Sequence, residues 1–419
     1  MKFRKVSFFM ILILVVTLFS GCWDKVEIEE QGYVAAIGID KGSEKMMRIT
    51  FQITNPKAGG GSGNTPQGGG GNSQPSDIIT VEAPGLLTAR ELVSVSVTRR
   101  ISLSHAKILV VGEDLAKTKE FFRALESSLR DKEIRRAMSL MISREKAEDF
   151  IRQNKPILED RPEKFFQFMA RRWRDTGLVP PNSNLNRFMQ RTEEGGSLFL
   201  TTYGTAKNFS DKDGKNEADF LPGQVNKKGG NPTEIIGSAV FKEGRMIGSL
   251  TGDETRLVAI LRPKPEVRSM VFTFPDPLNE KYRTVGRVIK QQKTKIHVDI
   301  TEGAPVIDVT VPISIDILSI PSFESYPEDM NKQAILKNSI ESYLEKESMK
   351  VVQKSQRDLN GDPFLWELAA RKKFLTYDDY KGYDWMKKFP KAEITIHYKV
   401  NLKSFGKQLN PPEKQDTKQ

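Results

Sequence analysis

The sequence predicts an α+β protein of more than one domain, with mixed β-sheets, packed helices and a C-terminal antiparallel sheet flanked by a long helix. Three observations carry this. Apolar, β-branched runs such as Tyr33–Asp40, Met46–Thr54 and Ala106–Val111 alternate with amphipathic stretches through the first half, the pattern of strands interleaved with helices. After Arg262-Pro263 the composition changes to β-rich runs at hairpin spacing, Val267–Phe274, Val285–Gln292, Thr294–Thr301 and Val306–Ile317. A long amphipathic stretch, Asn331–Gln356, follows them. The 419 residues exceed one core of about 100–200 residues. Composition divides them into a leader (1–21), an N-terminal α/β region (22–207), a linker with a hairpin and helix (208–262), a C-terminal α+β domain (263–407) and a polar tail (408–419).

The leader decides where the rest resides. Lys2, Arg4 and Lys5 precede an uncharged apolar run, Val6–Phe19, and the small residues Ser20-Gly21 stand before Cys22, a secretory signal layout. Fourteen residues make a helix of about 21 Å, short of the roughly 30 Å hydrocarbon core, so the run reads as a cleaved signal. Cys22 is the chain's one cysteine and has no disulfide partner within it. The small-small-Cys ending resembles a lipobox, with Phe19 at the third position before the cysteine and Leu18 one further back. That resemblance implies a diacylglyceryl thioether and an N-acyl group, such as palmitate, on Cys22. Two acyl chains, at about 0.8 kcal/mol per buried CH₂, anchor stably where one is marginal. Cleavage lowers the net charge from +11 to +8. A basic body tethered at an anionic bilayer accounts for that balance without nucleic acid, and no later apolar run approaches a span.

Taken in order, Tyr33–Asp40 and Met46–Thr54 are strands joined by a Lys-Gly-Ser-Glu turn, and residues 57–77 are a Gly, Ser, Asn and Pro tract with nothing to bury. Asp77–Glu82 is a strand, Leu86–Thr98 a helix, Ala106–Val111 a buried strand, Glu113–Leu129 a helix and Arg136–Ile142 a strand. From Arg144 to Arg191 the pattern is helical. Phe165, Phe166, Phe168, Met169 and Trp173 cluster at helical spacing and read as core, with Arg171, Arg172 and Arg174 as a solvated rim. Ser197–Lys207 is a strand, and Asp211–Gly214 (DKDG) lacks the glycine position and acidic ending of a calcium loop. Glu234–Leu261 reads as two strands about a Lys242-Glu243-Gly244 turn, then a helix capped by Thr251 or Asp253. Within it Val240 and Ile247 are expected to face the core, and Gly244 to take positive φ. A shorter helix over Pro363–Phe374 and a closing strand over Ala392–Leu402 complete the chain.

The residues do not assemble a catalytic constellation. His105, His297 and His397 stand singly, none at metal-ligand spacing from another His or a Cys. Ser104 and His105 are adjacent in an extended run, so they point to opposite faces. No Gly-x-Ser-x-Gly elbow or phosphate-binding glycine motif is present, and the pair Asp378-Asp379 is of a kind common on surfaces. The residues therefore argue for no catalytic site, cofactor or metal.

Several blocks together resemble the Ger(x)C spore germination lipoproteins, the C subunits of germinant receptors. They are Gly21-Cys22-Trp23-Asp24 with Ile37-Gly38-Ile39-Asp40, the glycine-rich insert, Leu103-Ser104-His105-Ala106-Lys107 with VVGEDLAK from Val110, GSAVFKEGRMIGSLTGDETR from Gly237, and Asp362-Pro363-Phe364. Where the family pattern commonly continues Asp-Pro-Phe with glycine, this chain has Leu365-Trp366. The resemblance implies a multi-domain α+β fold and a non-enzymatic subunit, lipid-anchored through Cys22 on the outer face of the inner spore membrane. It would work beside an A-type subunit with membrane-spanning and soluble parts and a transporter-like B-type subunit. The alternatives are a solute-binding lipoprotein delivering a small molecule to a transporter, and a tethered cell-wall hydrolase. The β-rich half after residue 262 disfavours the first, and the missing catalytic constellation disfavours the second.

Overall fold

A run that is apolar on both faces is satisfied only inside a covered sheet. Gln31–Lys41 (β1) is such a run, buried from Val34 to Asp40, and the first sheet is built on either side of it. The computed structural model describes Phe3, Met10, Glu27 and residues 30–55, 76–159, 161–209, 219–300 and 303–406. The leader, Cys22, nearly all of the glycine-rich tract, Asp211–Gly214, the tail and the side chains of Trp173 and Arg174 lie outside the described residues.

The N-terminal elements are β1, β2 (Met47–Thr54), β3 (Ser76–Ala83), α1 (Leu86–Ser94), β4 (Arg100–Ser102), β5 (Ile108–Gly112), α2 (Glu113–Ala116), α3 (Lys119–Ser128) and β6 (Ser139–Ser143). After them come α4 (Ala147–Gln153), α5 (Pro162–Thr176), α6 (Leu185–Glu194), β7 (Phe199–Thr205), β8 (Glu234–Lys242), β9 (Arg245–Leu250) and α7 (Gly252–Leu261). The nine-stranded sheet runs β3-β2-β1-β5-β6-β7-β8-β9, with β4 beside β1. Strands β1, β5, β6 and β7 are parallel, while β2, β3, β8 and β9 join by antiparallel hairpins. Side chains alternate cleanly across it. Ile37, Ile39, Leu109, Val111, Leu140 and Ile142 pack under α1, α3 and α6, whereas Ala36, Ile108, Val110 and Met141 meet Ala147, Phe150 and Phe166 of α4 and α5.

Glu113–Leu129, read as one helix, is two. Thr118 is extended, and its hydroxyl bonds back to the Leu115 carbonyl, which breaks the run. Helix α4 has no capping side chain of its own, because Lys146 precedes it. Asp40, at the end of β1, supplies one by accepting the N–H groups of Ala147 (2.7 Å) and Glu148 (3.0 Å). Burial raises the Asp40 carboxyl above its ordinary value, although these two donors oppose the rise.

The C-terminal half contains β10 (Met270–Pro275), β11 (Arg283–Ile289), β12 (Lys295–Asp299), β13 (Val306–Ser319), α8 (Met330–Arg357), α9 (Glu367–Ala370), α10 (Tyr377–Tyr383), α11 (Trp385–Lys388) and β14 (Glu393–Ser404). Its sheet is antiparallel in order β10-β11-β13-β12, and β14 lies on the other side of β13 as the one parallel pair. Strand β13 buries Ile307, Val309, Val311, Ile313, Ile315 and Ile317 in strict alternation beneath α8. The outer edge of β14 would present unpaired N–H groups. Glu345 and Glu341 of α8 accept those of Tyr398 (3.1 Å) and Val400 (2.8 Å), closing the edge.

The hairpin and helix of 234–261 do not form a separate linking region. Strands β8 and β9 finish the first sheet, and α7 is buried in a core shared by Leu198, Leu200 and Val240 of that sheet with the whole C-terminal half. Pro363–Trp366, read as the start of a helix over Pro363–Phe374, form with Asp362 an irregular joint instead, and the helix begins at Glu367. Asp362 Oδ1 accepts the N–H of Phe364 (2.7 Å), and Oδ2 accepts Glu367 N–H (3.0 Å) and Trp385 Nε1–H (3.1 Å). Its own carbonyl receives the N–H of Leu198, the residue before β7 of the first sheet, at 2.8 Å. Burial pushes the Asp362 carboxyl up to about 6, Glu367 adds to the rise and the three donors oppose it.

Asp362→Ala is expected to destabilise the protein by about 2–4 kcal/mol in denaturant titration, since buried donors lose their acceptor. The folded carboxyl titrates near 6 and the unfolded one near 3.8, so the folded state binds the extra proton between those values. Wild-type stability should therefore fall as pH rises through that window and level off above it, and this component should vanish in Asp362→Ala.

Candidate functional site

Three places could carry function: the Gly237–Arg256 block, the groove between the two sheets, and the exposed face of α5. In the block, Glu243 (φ 50) and Gly244 (φ 76) both stand in the left-handed region, as a two-residue hairpin turn of twisted strands requires. A Cβ on Gly244 would lie 2.8 Å from the ring of Phe122 on α3, so the turn is also seated against the preceding helix. Val240 is fully buried and Ile247 partly so against the shared core. Of the two capping candidates, Thr251 is the cap: it accepts Glu254 N–H (3.3 Å) while Glu254 accepts Thr251 N–H (2.8 Å). Asp253 occupies the first turn without capping. Lys242 is not simply solvated, since its Nζ donates to the Asn360 carbonyl at 2.7 Å and ties the hairpin to the joint.

A groove of about 320 Å³ opens where the two halves meet, lined in part by Arg187, Arg191, Phe199, Arg262, Glu266 and Leu365. Its deeper charges are neutralised by one another. Arg191 contacts Glu367 at 2.8 Å and Glu194 at 3.2 Å, and Arg262 reaches Glu266 at 2.7 Å while its other nitrogens donate to the Pro363 carbonyl. Burial alone would raise the Glu266 carboxyl, but Arg262 and Asn182 outweigh it and hold it below its ordinary value. Lys290, behind the groove, donates to the carbonyls of Ile260 (2.6 Å) and Arg262 (2.5 Å) at the end of α7. Burial pushes its ammonium down to about 7, against the pull of Glu266. These contacts fasten the halves together. Leu365 stands at φ 63, a conformation glycine adopts without strain, so the expected glycine position is an authentic left-handed one filled here by leucine.

Sequence-predicted residues that could have done chemistry are not brought together. Ser104 bonds Ser102 (2.8 Å), and the His105 ring lies on Tyr33 with centroids 4.5 Å apart. Burial, Lys107 and Arg135 hold the His105 imidazolium below its ordinary value. His397 faces only Glu345, at 3.7 Å, and Asp379 pairs with Thr376 at the start of α10. Among the described residues, no three His, Cys, Asp or Glu side chains are grouped to hold a metal ion, and no helix is long and apolar enough to cross a membrane. Asp40, Lys290 and Asp362 were not foreseen as organising residues. An acid closing an apolar run was the signal available for Asp40, and position gave none for Lys290.

The aromatic cluster of α5 is only partly core. Phe166 is buried, and Phe165 and Met169 pack against the second face of the first sheet, but Phe168 remains 40% exposed. The reading of the whole cluster as core is corrected to that extent. A 15-residue helix on a sheet buries one stripe, and Phe168 falls outside it.

The fold and these arrangements define a two-sheet α+β protein whose charged and buried polar groups at the joint fasten its two halves together. Comparison with known proteins places it. Residues 24–204 match the family described as the spore germination protein N-terminal domain, and residues 236–406 match that described as spore germination B3/GerAC like, C-terminal; the chain belongs to this family of spore germination proteins. It is similar to spore germination protein KC of Bacillus subtilis (strain 168), 25% identical over 434 residues, covering 97% of this chain and 98% of the relative. Spore germination protein B3 of the same organism is 23% identical over 411 residues, covering 96% and 97%. The crystal structure of the GerBC protein shares the fold with a TM-score of 0.52 at 19% identity, covering 87% of this chain and 96% of that one.

Gly244→Val is expected to cost at least about 1–3 kcal/mol from the backbone alone, with the Phe122 contact added, and to lower the melting temperature and the yield of folded protein. Lys242→Glu should change stability by less than about 1 kcal/mol, because its bond to Asn360 is exposed. Should thermal denaturation show Gly244→Val as stable as wild type, the turn does not constrain the hairpin as described.

Proposed function

We propose that this chain is a non-enzymatic, lipid-anchored C-type subunit of a nutrient germinant receptor, attached through Cys22 to the outer face of the inner spore membrane and assembled with A-type and B-type membrane subunits. The family matches over both halves, 24–204 and 236–406, carry the reading. The relatives named as spore germination proteins along their whole length support it, as does the leader that ends in Gly21-Cys22. A solute-binding lipoprotein would need two lobes that each alternate strand and helix. Here the second sheet has β13 and β14 as its one parallel pair, which speaks for the first reading.

Two measurements test it. Affinity purification from dormant-spore membranes should recover A-type and B-type germination subunits; recovery of a solute permease in their place overturns the reading. Cys22→Ala should abolish acylation and, once the leader is removed, move the protein from the detergent phase to the aqueous phase, since about two acyl chains are lost. Full detergent partitioning of that processed variant would refute anchorage through Cys22.

A further inference from the structure

Ile157 and Leu158, in the loop between α4 and α5, are 72% and 94% exposed, and Phe168 lies beside them on α5. Adjacent large apolar side chains at this exposure are uncommon on a solvated surface and mark a contact. Together with Phe165 and Met169 they line a shallow groove of about 730 Å³, whose rim carries Arg171 and Arg172 and whose lining includes one acid, Glu159. Lys155, Lys164 and Lys228 are exposed close by in the sequence segments that form it.

The place of this surface in the fold is as informative as its composition. Phe166 and Arg171 of α5 share a cleft with Lys107 and Ser139, at the starts of β5 and β6, and those strands run parallel to β1. Near the start of α5, the charge of Glu163 acts on His105, and the His105 ring rests on Tyr33 at the start of β1. The α5 side of the groove therefore lies near the end of the first sheet where the chain enters from Cys22, while Gly230 and Asn231 on its other side lead into Glu234, which pairs with Thr205 at the far end of β7. Cys22 and Gln31 are nine residues apart, and even a fully extended chain of that length spans at most about 30 Å. An anchor on Cys22 keeps the start of β1 within that reach of the bilayer.

We propose that this surface is a second membrane contact: Ile157, Leu158 and Phe168 enter the interface of an anionic bilayer while Arg171 and Arg172 pair with lipid phosphates. The proposal rests on anchorage through Cys22, and it fixes the orientation of the body at the bilayer. An apolar tip ringed by cations suits that occupant, because the tip gains from leaving water and the cations gain from the negative surface potential. An uncharged apolar partner would leave the arginines unmatched.

Leu158→Cys tests it, because Cys22 is the chain's other cysteine and acylation blocks it. The full acylated chain, carrying an environment-sensitive fluorophore on residue 158, is reconstituted into vesicles of phosphatidylcholine with one-third phosphatidylglycerol, and into phosphatidylcholine alone. The expected result is a blue-shifted probe, quenched by bilayer-embedded quenchers, in the anionic vesicles. Arg171→Ala with Arg172→Ala should weaken insertion about twenty-five-fold, from roughly fivefold per cation, and Ile157→Ser should weaken it further, with circular dichroism unchanged. A water-exposed probe on protein that stays with anionic vesicles overturns the second contact while leaving the anchor intact. Equal shielding in neutral vesicles, or shielding that appears only when A-type and B-type subunits are added, also overturns it. Protein that fails to stay with vesicles at all refutes anchor and orientation together.

Discussion

The last carbonyls of α7 are the point on which the two halves depend. A helix end leaves its final C=O groups without intrahelical donors, and buried ones must find partners elsewhere. Here the partners come from the C-terminal half. Lys290 Nζ and Thr294 Oγ1 reach the Ile260 carbonyl, Lys290 also serves Arg262, and Trp366 Nε1 serves Leu261 at 3.1 Å. The helix itself grows from the hairpin that closes the first sheet, so its capped start and its satisfied end belong to different halves. Lys354 of α8 adds a contact with Glu254 at 2.7 Å, and Trp366 stacks on Phe364 inside the common core. Separating the halves would expose that apolar surface and orphan those carbonyls at once.

Such a body is organised for rigidity. The groove at the joint has cations, but Arg191 and Arg262 are committed to Glu194, Glu266 and Glu367, leaving its depth electrostatically settled. Chemistry requires groups held in reach of one another and of a substrate, and the isolated histidines and the Ser102-Ser104 pair do not provide this. The two halves that this joint fastens are the two that match the family of spore germination proteins.

Much of the fold was legible because its periods are clean. The alternation of β13, the seam of α8 through Leu336, Ile340 and Leu344, and the turn at Glu243-Gly244 all follow from local rules. The unreadable parts are those settled across long separations. Asp40 caps a helix more than a hundred residues away, and Asp362 gathers Phe364, Glu367 and Trp385, so neither has a periodic signature. For the same reason local pattern assigns the hairpin at 234–250 to a separate region, since nothing local says which sheet it completes. The short helices α10 and α11 went unseen because a few residues show no resolvable period. Local pattern likewise could not divide the face of α5 into the buried Phe166 and the exposed Phe168.

The unity of the two halves is tested most directly by differential scanning calorimetry of the acylated protein in detergent. One transition is predicted, with calorimetric and van't Hoff enthalpies equal within error, because α7 and residues 362–366 couple the sheets. Two resolved transitions, or a calorimetric enthalpy near twice the van't Hoff value, would show that the halves unfold independently and contradict the account.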